Sequence, residues 1–474
     1  MNGVENNSQS NAEYPSAKIA WTTVAVLSFT YMFSFMDRQI LVLLIDPIKV
    51  DLQITDTQVS LLTGMAFAVV YALAGIPMGR AADLGVRKYV IIGGVTVWST
   101  LTILCGFARS FPQLFLGRMG VGLGEAALTP TAYALIPDLF PPNKLARAIS
   151  VFAIGGFLGS GLAWIFGGVI IDLIGNLKVV TLPLVGEIRA WQIVLVIAGS
   201  LSLLMVVPLA LLPEPKRHNP SNEGVSTPSV DISTTNNAGA EYQNLAFKAV
   251  LRYLWGHKGF YGLFIIGVMS YTLSGYGIAA WLPSYFIRVH GWDAGSAGVT
   301  LGSLYLAPVI IGGLASGWLA DHFYGKGYQT APLVIMSIAP LLLAPLLLCL
   351  IYTPVMGAKL TALVLLFFVD TMLSVLFPTV IQLATHNRIR AQVSAIHLMI
   401  INLVGIGFGP TAIALVTDNV FQDELAVGDS IALVGVIACL VSAATLILAL
   451  KPFKQRVISI MGPLEKTPAN APKM

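Results

Sequence analysis

Long apolar stretches constrain this chain more than any other feature of its sequence. Twelve segments each carry enough apolar residues to cross the hydrocarbon core of a bilayer, which takes about 20 residues in an α-helix. Their approximate limits are residues 19–46, 58–79, 89–108, 113–136, 146–172, 190–213, 259–287, 297–320, 331–352, 359–384, 392–417 and 430–451. With 56% hydrophobic and 11% charged residues, the chain is predicted to be an all-α integral membrane protein, because soluble domains carry roughly a quarter charged residues.

The distribution of Lys and Arg predicts how the chain is oriented. Nineteen of these residues lie on the side of both termini, and six lie on the other side. Positive charge in short loops is retained on the cytoplasmic side of a membrane. We therefore expect a multi-pass protein of the cell membrane, the inner membrane of a bacterium, with both termini in the cytoplasm. The first 18 residues lack the basic region of a cleaved signal peptide and are expected to form a polar tail.

One long polar stretch, rich in Ser, Thr, Asn and Pro, divides the helices six and six. The predicted domains are an N-terminal tail (1–18), a first bundle (19–213), a cytoplasmic linker (214–258), a second bundle (259–452) and a C-terminal tail (453–474). Near the end of the linker, apolar residues alternate with Lys248, Arg252 and Lys258. This pattern favours either a helix on the membrane surface or an ordinary continuation of the linker.

The two halves of the chain also resemble each other. The loop GRAADLGVRK (79–88) follows the second apolar segment, and GWLADHFYGK (317–326) follows the eighth. In each, Asp comes four residues after Gly and is followed by basic residues. A parallel repeat of this kind is typical of a transporter made of two bundles, with the substrate site between them. The sequence thus predicts two pseudo-symmetric six-helix bundles.

Two opposite charges inside the fourth apolar segment are the first candidates for function. Arg118 and Glu125 are seven residues apart, so a helix directs both side chains to one face, about 10 Å apart along its axis. Charges within a membrane-spanning helix persist where they face a partner or a watery cavity. Gly120, Gly122 and Gly124 between them allow close approach of a ligand or of a neighbouring helix, so a purely structural packing role is the alternative.

The loops and the helix count resemble the major facilitator superfamily, whose loop signature is G-x-x-x-D-[RK]-x-G-x-[RK]-[RK]. The first loop lacks one residue of the signature and has Leu84 where a basic residue is usual, and the second lacks a glycine. The matching positions are Gly79, Asp83, Gly85, Arg87 and Lys88 in the first loop and Gly317, Asp321 and Lys326 in the second. The resemblance implies that Asp83, Arg87 and Asp321 take part in gating.

Two further stretches narrow the resemblance. YMFSFMDRQILVL in helix 1 and R-x-x-x-G-x-G-E-A, followed by TPTAYALIPDLFPP, in helix 4 are similar to the Spinster family. Its members, bacterial ones included, are associated with export of lysolipids and of lipids like sphingosine-1-phosphate. The functional polar residues of that family correspond to Asp37, Arg38, Arg118 and Glu125. The resemblance therefore implies an exporter of an amphiphilic anionic lipid that works by alternating access.

The depths of these charges suggest how they act together. Asp37 and Arg118 lie at similar depths, so an ion pair between them is geometrically reasonable, whereas Glu125 has no obvious fixed cation at its level. Our hypothesis is that Glu125 binds and releases the coupled proton. Asp37, which also belongs to the proton-coupling set, would hold Arg118 or Arg38 when no anionic substrate is bound. An arginine can grip a phosphate head with two hydrogen bonds.

Several other intramembrane residues are candidates for the cavity and its gates. Tyr71 and Tyr133 are aromatic candidates for lining the substrate cavity. Asp370 and His397 would form a second titrating pair, or Asp370 would be structural. Helix 7 contains Gly275, Gly277 and Pro283, and we expect it to be broken and to serve as the outer gate.

Other functions remain open at this point or are excluded. The same arginines would serve a transporter of small organic acids such as sugar acids, and a membrane receptor that moves nothing is an alternative of another class. An enzyme is not expected, because the chain has no nucleophile, base and oxyanion set and no phosphate-binding loop of the GxxxxGK[ST] type. The three cysteines lie in apolar runs, so no metal site is predicted. We expect no cofactor and no nucleic acid; the expected partners are the substrate, protons and membrane lipids around a monomer.

Overall fold

The computed structural model describes residues 14–174, 179–182, 186–217, 250–385 and 387–461. Within these ranges, eleven helices are long and apolar enough to cross a membrane. A further segment, residues 111–135, is interrupted near its middle and completes the set. The predicted count of twelve membrane segments is therefore consistent with the structure.

The segments are numbered helix 1 to helix 12 in chain order. The uninterrupted ones are helix 1 (Ala17–Leu43), helix 3 (Arg87–Cys105), helix 5 (Pro142–Ile174), helix 7 (Lys258–His290), helix 8 (Ala294–Gly325), helix 9 (Ala331–Tyr352), helix 10 (Met356–Ala384) and helix 12 (Val427–Met461). The interrupted ones are helix 2 (Asp56–Thr63 and Met65–Leu84), helix 4 (Phe111–Glu125 and Leu128–Leu135), helix 6 (Ala190–Leu204 and Val206–Leu211) and helix 11 (Asn387–Ile401, Asn402–Phe408, Gly409–Val416 and Thr417–Phe421). A short helix (Ile45–Leu52) follows helix 1, and strands β1 (Val179–Leu182) and β2 (Gly186–Arg189) form an antiparallel hairpin after helix 5.

The helices pack as two bundles of six. In the first bundle, helix 1 packs on helix 5, and helix 3 packs on helices 4 and 6. In the second, helix 7 packs on helices 11 and 12, and helix 9 packs on helices 10 and 12. Helix 5 also packs along helix 8 and helix 2 along helix 11, and these two contacts join the bundles. We call the end of the molecule that carries residues 217 and 250 the linker end, and the opposite end the distal end.

Parts of the predicted domain plan lie outside the described residues, namely residues 1–13, 218–249 and 462–474. The surface helix predicted for the linker falls mostly there, although residues 250–256 are helical. Helix 12 continues to Met461 and so extends past its predicted end at residue 451. The additional turns carry basic residues, which helices accommodate well outside the apolar core.

Helix 4 is interrupted directly after Glu125. Ala126 and Ala127 form a turn between its two parts, and Pro130 follows at the start of the second part. Because proline has no N–H, the carbonyl of Ala126 cannot receive the hydrogen bond that a continuous helix would give it. The interruption leaves Glu125 as the last residue of the first part.

Helices 2 and 8 both begin at the distal end with side-chain caps. The Thr55 hydroxyl accepts a hydrogen bond from the Gln58 backbone N–H at 3.1 Å, and the Gln58 side-chain oxygen Oε1 accepts one from the Thr55 backbone N–H at 3.0 Å. Asp293 accepts hydrogen bonds from the N–H and the hydroxyl of Ser296, at 2.8 and 2.6 Å. These bonds hold the pKa of the Asp293 carboxyl below its usual range. Such caps fix where each helix starts.

The glycine-rich run of helix 5 serves two interfaces. A Cβ atom at Gly155 would collide with the backbone of Ser28 in helix 1. A Cβ atom at Gly168 would lie 2.5 Å from the carbonyl oxygen of Gly295 in helix 8. Helix 5 therefore touches its own bundle and the other bundle through positions where a side chain would not fit.

Candidate transport site

An ion pair between helix 1 and helix 4 lies at the centre of the first bundle. Arg38 Nε donates to Glu125 Oε2 at 2.6 Å, and the Ser34 hydroxyl donates to the same oxygen at 2.6 Å. The Glu125 side chain is fully buried, whereas Arg38 is 13% exposed. Ser34 and Arg38 are one helical turn apart, so a single face of helix 1 supplies both donors. The sequence analysis found no fixed cation for Glu125, and the structure corrects this: the cation is Arg38.

Aromatic rings surround the Arg38 guanidinium. Its central carbon lies 4.8, 4.5 and 4.8 Å from the ring centres of Phe35, Phe67 and Tyr71. Cations are attracted to the faces of such rings, the more so when water is partly excluded. Arg38 is therefore held by one carboxylate and an aromatic wall, while part of it remains accessible to water.

Arg118 lies nearby but has a different environment. It is 2% exposed, and its Nε atom has no acceptor in the described part of the chain. Its guanidinium lies 5.7 Å from the ring centre of Phe67 and interacts electrostatically with Glu125, Asp37 and Arg38. A buried N–H donor without an acceptor is costly, so the Arg118 Nε–H is available to an anion or to water.

Asp37 does not form the expected ion pair with Arg118. Its carboxylate instead accepts hydrogen bonds from the Ser202 hydroxyl of helix 6, at 3.2 Å, and from the Thr102 hydroxyl of helix 3, at 3.5 Å. Asp37 and Arg38 are adjacent in helix 1, so their side chains diverge by about 100°. Arg38 thus faces helices 2 and 4, while Asp37 faces helices 3 and 6.

The predicted pairing of Asp370 with His397 is also wrong. The Tyr271 hydroxyl lies 2.7 Å from Asp370 Oδ1, and that hydroxyl also contacts Ser374 at 2.7 Å. His397 is buried between the rings of Phe264 and Phe377, at 5.3 and 5.2 Å, and its Nε2 atom has no partner among the described residues. His397 meets helix 10 at Phe377, two helical turns beyond Asp370, so the imidazole does not reach the carboxylate.

The cavity tyrosines come from both bundles. Tyr71 lies against Phe67, and its hydroxyl is 3.4 Å from that of Thr129. Tyr133 is 44% exposed and lies toward the linker end. Tyr276 of helix 7 packs against the first bundle and interacts electrostatically with both Arg38 and Asp370. Tyr276 therefore interacts with both the cation of one bundle and the acid of the other.

Some of the residues that contact the charged side chains can be identified from the sequence, and others cannot. Ser34 stands four residues before Arg38, so helical spacing is enough to identify it as a neighbour. Phe67, Tyr276 and Ser202 come from other helices. Their placement depends on how the helices are rotated against each other, which no local pattern of residues contains.

Ion pairs join the two bundles at the distal end. Arg288 of helix 7 pairs with Asp46 and Asp56, with Nε–Oδ1 and Nη1–Oδ2 distances of 2.6 Å each. Lys49 pairs with Asp56 and with Glu424 of the second bundle, at 2.7 Å each. Sequence analysis did not identify this network, because its members are scattered over loops and helix ends.

Toward the linker end the bundles separate. The close contacts of helix 5 with helix 8 join Gly161 to Leu306 and Gly168 to Gly295, in the distal half of both helices. The contacts of helix 11 with helix 2 come from residues 402–421, in its distal half. The structure is therefore closed at the distal end and open at the linker end.

Helix 7 is continuous, contrary to the prediction that it is broken. Gly277 packs on the carbonyl oxygen of Gly409, where a Cβ atom would lie at 2.7 Å, and a Cβ atom at Gly275 would lie 3.5 Å from Asp370 Oδ1. Pro283 is accommodated inside the helix. These small residues allow close packing, and helix 7 contributes to distal closure through Arg288.

The loop between helices 2 and 3 is bound to the chain that follows helix 6. Arg87 pairs with Asp138 and Glu214, and Arg217 donates to the carbonyl oxygens of Ala82, Asp83 and Gly85. The side chains of Asp83 and Asp321 are exposed and form no hydrogen bond within the described ranges. Both carboxylates are therefore accessible at the linker end, and their role in gating remains a prediction.

Two bundles of six helices, closed at one end and enclosing buried charges, define the major facilitator class of transporters. The model of the Major Facilitator Superfamily matches residues 27–410, and the chain belongs to that family. It is a multi-pass membrane transporter rather than an enzyme.

The relatives narrow the relationship further. An "MFS-type efflux pump" of Mycolicibacterium smegmatis (strain ATCC 700084 / mc(2)155) is 28% identical over 415 residues, which is 87% of this chain and 88% of the relative. Protein spinster of Drosophila melanogaster is 24% identical over 69% of this chain and 50% of its own length. A probable L-galactonate transporter of Escherichia coli (strain K12) is 22% identical over 64% of this chain and 62% of its own length.

A solved structure has the same fold. A bacterial homolog of the human lysosomal transporter Spinster, in an inward-facing and unoccupied conformation, superposes with a TM-score of 0.72 at 24% identity. The superposition covers 96% of this chain and 100% of the other. The chain is therefore related to Spinster proteins and to a sugar acid transporter.

Proposed function

We propose that this chain is a proton-coupled transporter of an amphiphilic anion, such as a lysolipid or a lipid like sphingosine-1-phosphate. One observation carries the proposal. The partly accessible Arg38 is held against buried Glu125 within an aromatic wall. The arginine suits a phosphate or carboxylate head, and the rings around it suit the start of an apolar chain.

The charge balance of the Arg38–Glu125 pair supplies a coupling mechanism. A buried charge is stable only while its partner is present. When a substrate anion takes Arg38, Glu125 loses its cation, and a proton becomes the partner that neutralises it. Anion and proton therefore favour each other's binding, and by reciprocity each raises the affinity for the other by the same factor.

Arg118 and Asp37 support this exchange from the interior of the bundle. Arg118 has an unused Nε–H donor and interacts electrostatically with Glu125. Asp37 is bound by Ser202 and Thr102 and compensates part of the positive charge of Arg118. We infer that Arg118 takes over part of the interaction with Glu125 or with the substrate head when Arg38 is engaged elsewhere.

The second bundle contributes an acid opposite the arginine. Asp370 is held by Tyr271, and Tyr276 interacts electrostatically with both Asp370 and Arg38. This arrangement suits a head that carries an ammonium group as well as an anion. A small organic acid, as in the related probable L-galactonate transporter, is the second candidate, because Arg38 would bind a carboxylate in the same way.

Transport by reconstituted protein distinguishes the two substrates. Proteoliposomes would be assayed in parallel for movement of a labelled lysophospholipid and of a labelled six-carbon sugar acid. We expect movement of the lysophospholipid alone and loss of this transport in Arg38→Gln. Arg80→Gln, which removes an exposed cation at the linker end, is the matched control. Movement of the sugar acid alone would replace the lipid proposal with the organic acid one.

A further inference from the structure

The hydroxyl of Ser34 differs from those of two threonines on the same helix. Thr23 and Thr30 each donate to the carbonyl oxygen four residues earlier in helix 1, at 2.9 and 2.8 Å. A serine or threonine inside a helix commonly bonds to its own backbone in this way. Ser34, which is 1% exposed, instead donates to the Glu125 carboxylate of helix 4. Its hydroxyl is therefore committed to the charged site rather than to its own helix.

The orientation of the Ser34 hydroxyl is fixed from two sides. Its single proton is directed to Glu125 Oε2, at 2.6 Å, while its oxygen accepts a longer hydrogen bond from Arg38 Nη2, at 3.4 Å. Arg38 is thus joined to Glu125 twice, once directly through Nε and once through Ser34. Hydrogen bonds that form a chain in this way strengthen one another. Ser34 therefore takes part in the interaction between the cation and the acid.

Other titratable groups surround the pair without bonding to the Glu125 carboxylate. Those that interact electrostatically with Glu125, with Arg38 or with Asp37 come from five helices. They are Asp37 and Tyr31 of helix 1, Tyr71 of helix 2, Cys105 of helix 3, Arg118 of helix 4 and Tyr276 of helix 7. In the described part of the chain, the hydrogen bonds to the carboxylate come from Arg38 and Ser34. When an anion engages Arg38, Ser34 is the donor that remains.

We propose that Ser34 is a positioning residue that sets the pH at which Glu125 takes up and releases its proton. A donor that bonds to the charged form of a carboxyl group favours that form. After Arg38 turns to the substrate anion, the Ser34 hydroxyl continues to stabilise the carboxylate. The proton is then bound weakly enough to be released again in the next step of the cycle. This inference rests on the proposed coupling role of Glu125.

Infrared titration of the purified protein in lipid nanodiscs tests the proposal without any substrate. The carbonyl stretching band of protonated carboxyl groups would be followed against pH. The part of this band that belongs to Glu125 is the part that is absent from Glu125→Gln. The readout is the protonation midpoint, the pH at which half of the Glu125 band has appeared. It reports proton binding directly and does not depend on transport.

We expect Ser34→Ala to raise the protonation midpoint by about one pH unit, equal to a tenfold gain in proton affinity, because a hydrogen bond to a charged group is lost. Ser34→Thr keeps the hydroxyl and should keep the midpoint of the parent. Ser34→Cys keeps the size of the side chain but offers only a weak donor, so its midpoint should lie between those of the parent and Ser34→Ala. Ser34→Cys also carries the test if Ser34→Ala does not fold.

Ser28→Ala is the matched control. Ser28 lies on the same helix, but its hydroxyl donates to the carbonyl oxygen of Val151 in helix 5, at 2.9 Å. Its loss should therefore leave the protonation midpoint of Glu125 unchanged. Loss of either hydroxyl can lower the thermal unfolding midpoint, whereas only the loss of the Ser34 hydroxyl should move the protonation midpoint. The comparison separates a role at the charged site from a role in helix packing.

The role of Ser34 and the proposed function fail in different ways. A protonation midpoint in Ser34→Ala equal to that in Ser28→Ala would overturn the role of Ser34. A Glu125 band that is absent at every pH from both the parent and Ser34→Ala would overturn it as well. Failure of the coupling proposal would appear instead in transport, as equal acceleration of the parent and Glu125→Gln by a pH difference.

Discussion

At the scale of single residues, the two oxygens of Glu125 have unequal surroundings. Oε2 receives both the Arg38 and the Ser34 hydrogen bonds, whereas Oε1 is buried and has no partner among the described residues. A proton on Oε1 would neutralise the carboxyl group without first displacing either donor. This asymmetry lets Glu125 take up a proton at Oε1 as Arg38 leaves Oε2 for the substrate anion.

The first prediction concerns the shape of the Arg38 head group. Arg38→Lys keeps the positive charge but loses the planar fork and its contact with the rings of Phe35, Phe67 and Tyr71. We expect the apparent Kd for the transported anion to rise roughly tenfold, as measured by competition in proteoliposomes. Arg80→Lys is the control, and an unchanged Kd in Arg38→Lys would show that the charge alone is enough.

At the scale of elements, three helices are interrupted where they meet the site or the other bundle. Helix 4 stops after Glu125, helix 2 stops at Gly64, and helix 11 takes π-helical form over Asn402–Phe408. The last two interruptions face each other, because a Cβ atom at Gly64 would lie 2.6 Å from the carbonyl oxygen of Ile406. These elements are shaped by contact between the bundles.

Contact between the bundles explains which helix interruptions could be predicted from the sequence and which could not. Pro130 accompanies the break in helix 4, since a missing N–H acts locally. Helix 2 nevertheless continues through Pro77 and helix 7 through Pro283, so a proline alone does not predict a break. The breaks at Gly64 and at residues 402–408 depend on contact between helices 2 and 11, which are far apart in sequence, so no local sequence pattern predicts them.

Two glycines of helix 2 provide the second prediction. Gly64→Ala places a methyl group against the backbone of Ile406 and Gly407, whereas Gly75→Ala meets nothing within 4 Å. Gly64→Ala should push the bundles apart at the distal half and lower the thermal unfolding midpoint. Gly75→Ala should keep or raise that midpoint, because alanine favours a helix by about 1 kcal/mol over glycine. Equal midpoints in thermal unfolding of the two variants would contradict the contact between helices 2 and 11.

At the scale of the whole molecule, the fold follows from the sequence more directly than the site does. Twelve apolar segments, one long polar stretch and a repeated loop are enough to predict two six-helix bundles, since a bilayer leaves little choice of structure. The charged residues of the site are identifiable because burial makes them costly. Their partners are not, as Glu125 with Arg38 and Asp370 with Tyr271 illustrate, because pairing depends on how whole helices are rotated.

The third prediction concerns the orientation of the molecule. The excess of Lys and Arg at the linker end predicts that this end faces the cytoplasm. In intact cells, a cysteine at Val50, at the distal end, should react with a membrane-impermeant maleimide, and one at Arg80 should react only after lysis; both positions are exposed. The native cysteines would be replaced in both variants. Labelling of the Arg80 position in intact cells would show that the linker end faces outward, contrary to this prediction.

The coupling role of Glu125 is tested most directly by transport with and without a pH difference across the membrane. Proteoliposomes containing the parent protein, Glu125→Gln or the control Glu187→Gln, which alters an exposed acid of strand β2, would be loaded with labelled lysophospholipid. The account predicts that a pH difference accelerates transport by the parent and by Glu187→Gln. Glu125→Gln should still exchange substrate, at one rate whether or not the difference is imposed. Acceleration of Glu125→Gln to the same extent as the parent would contradict the account.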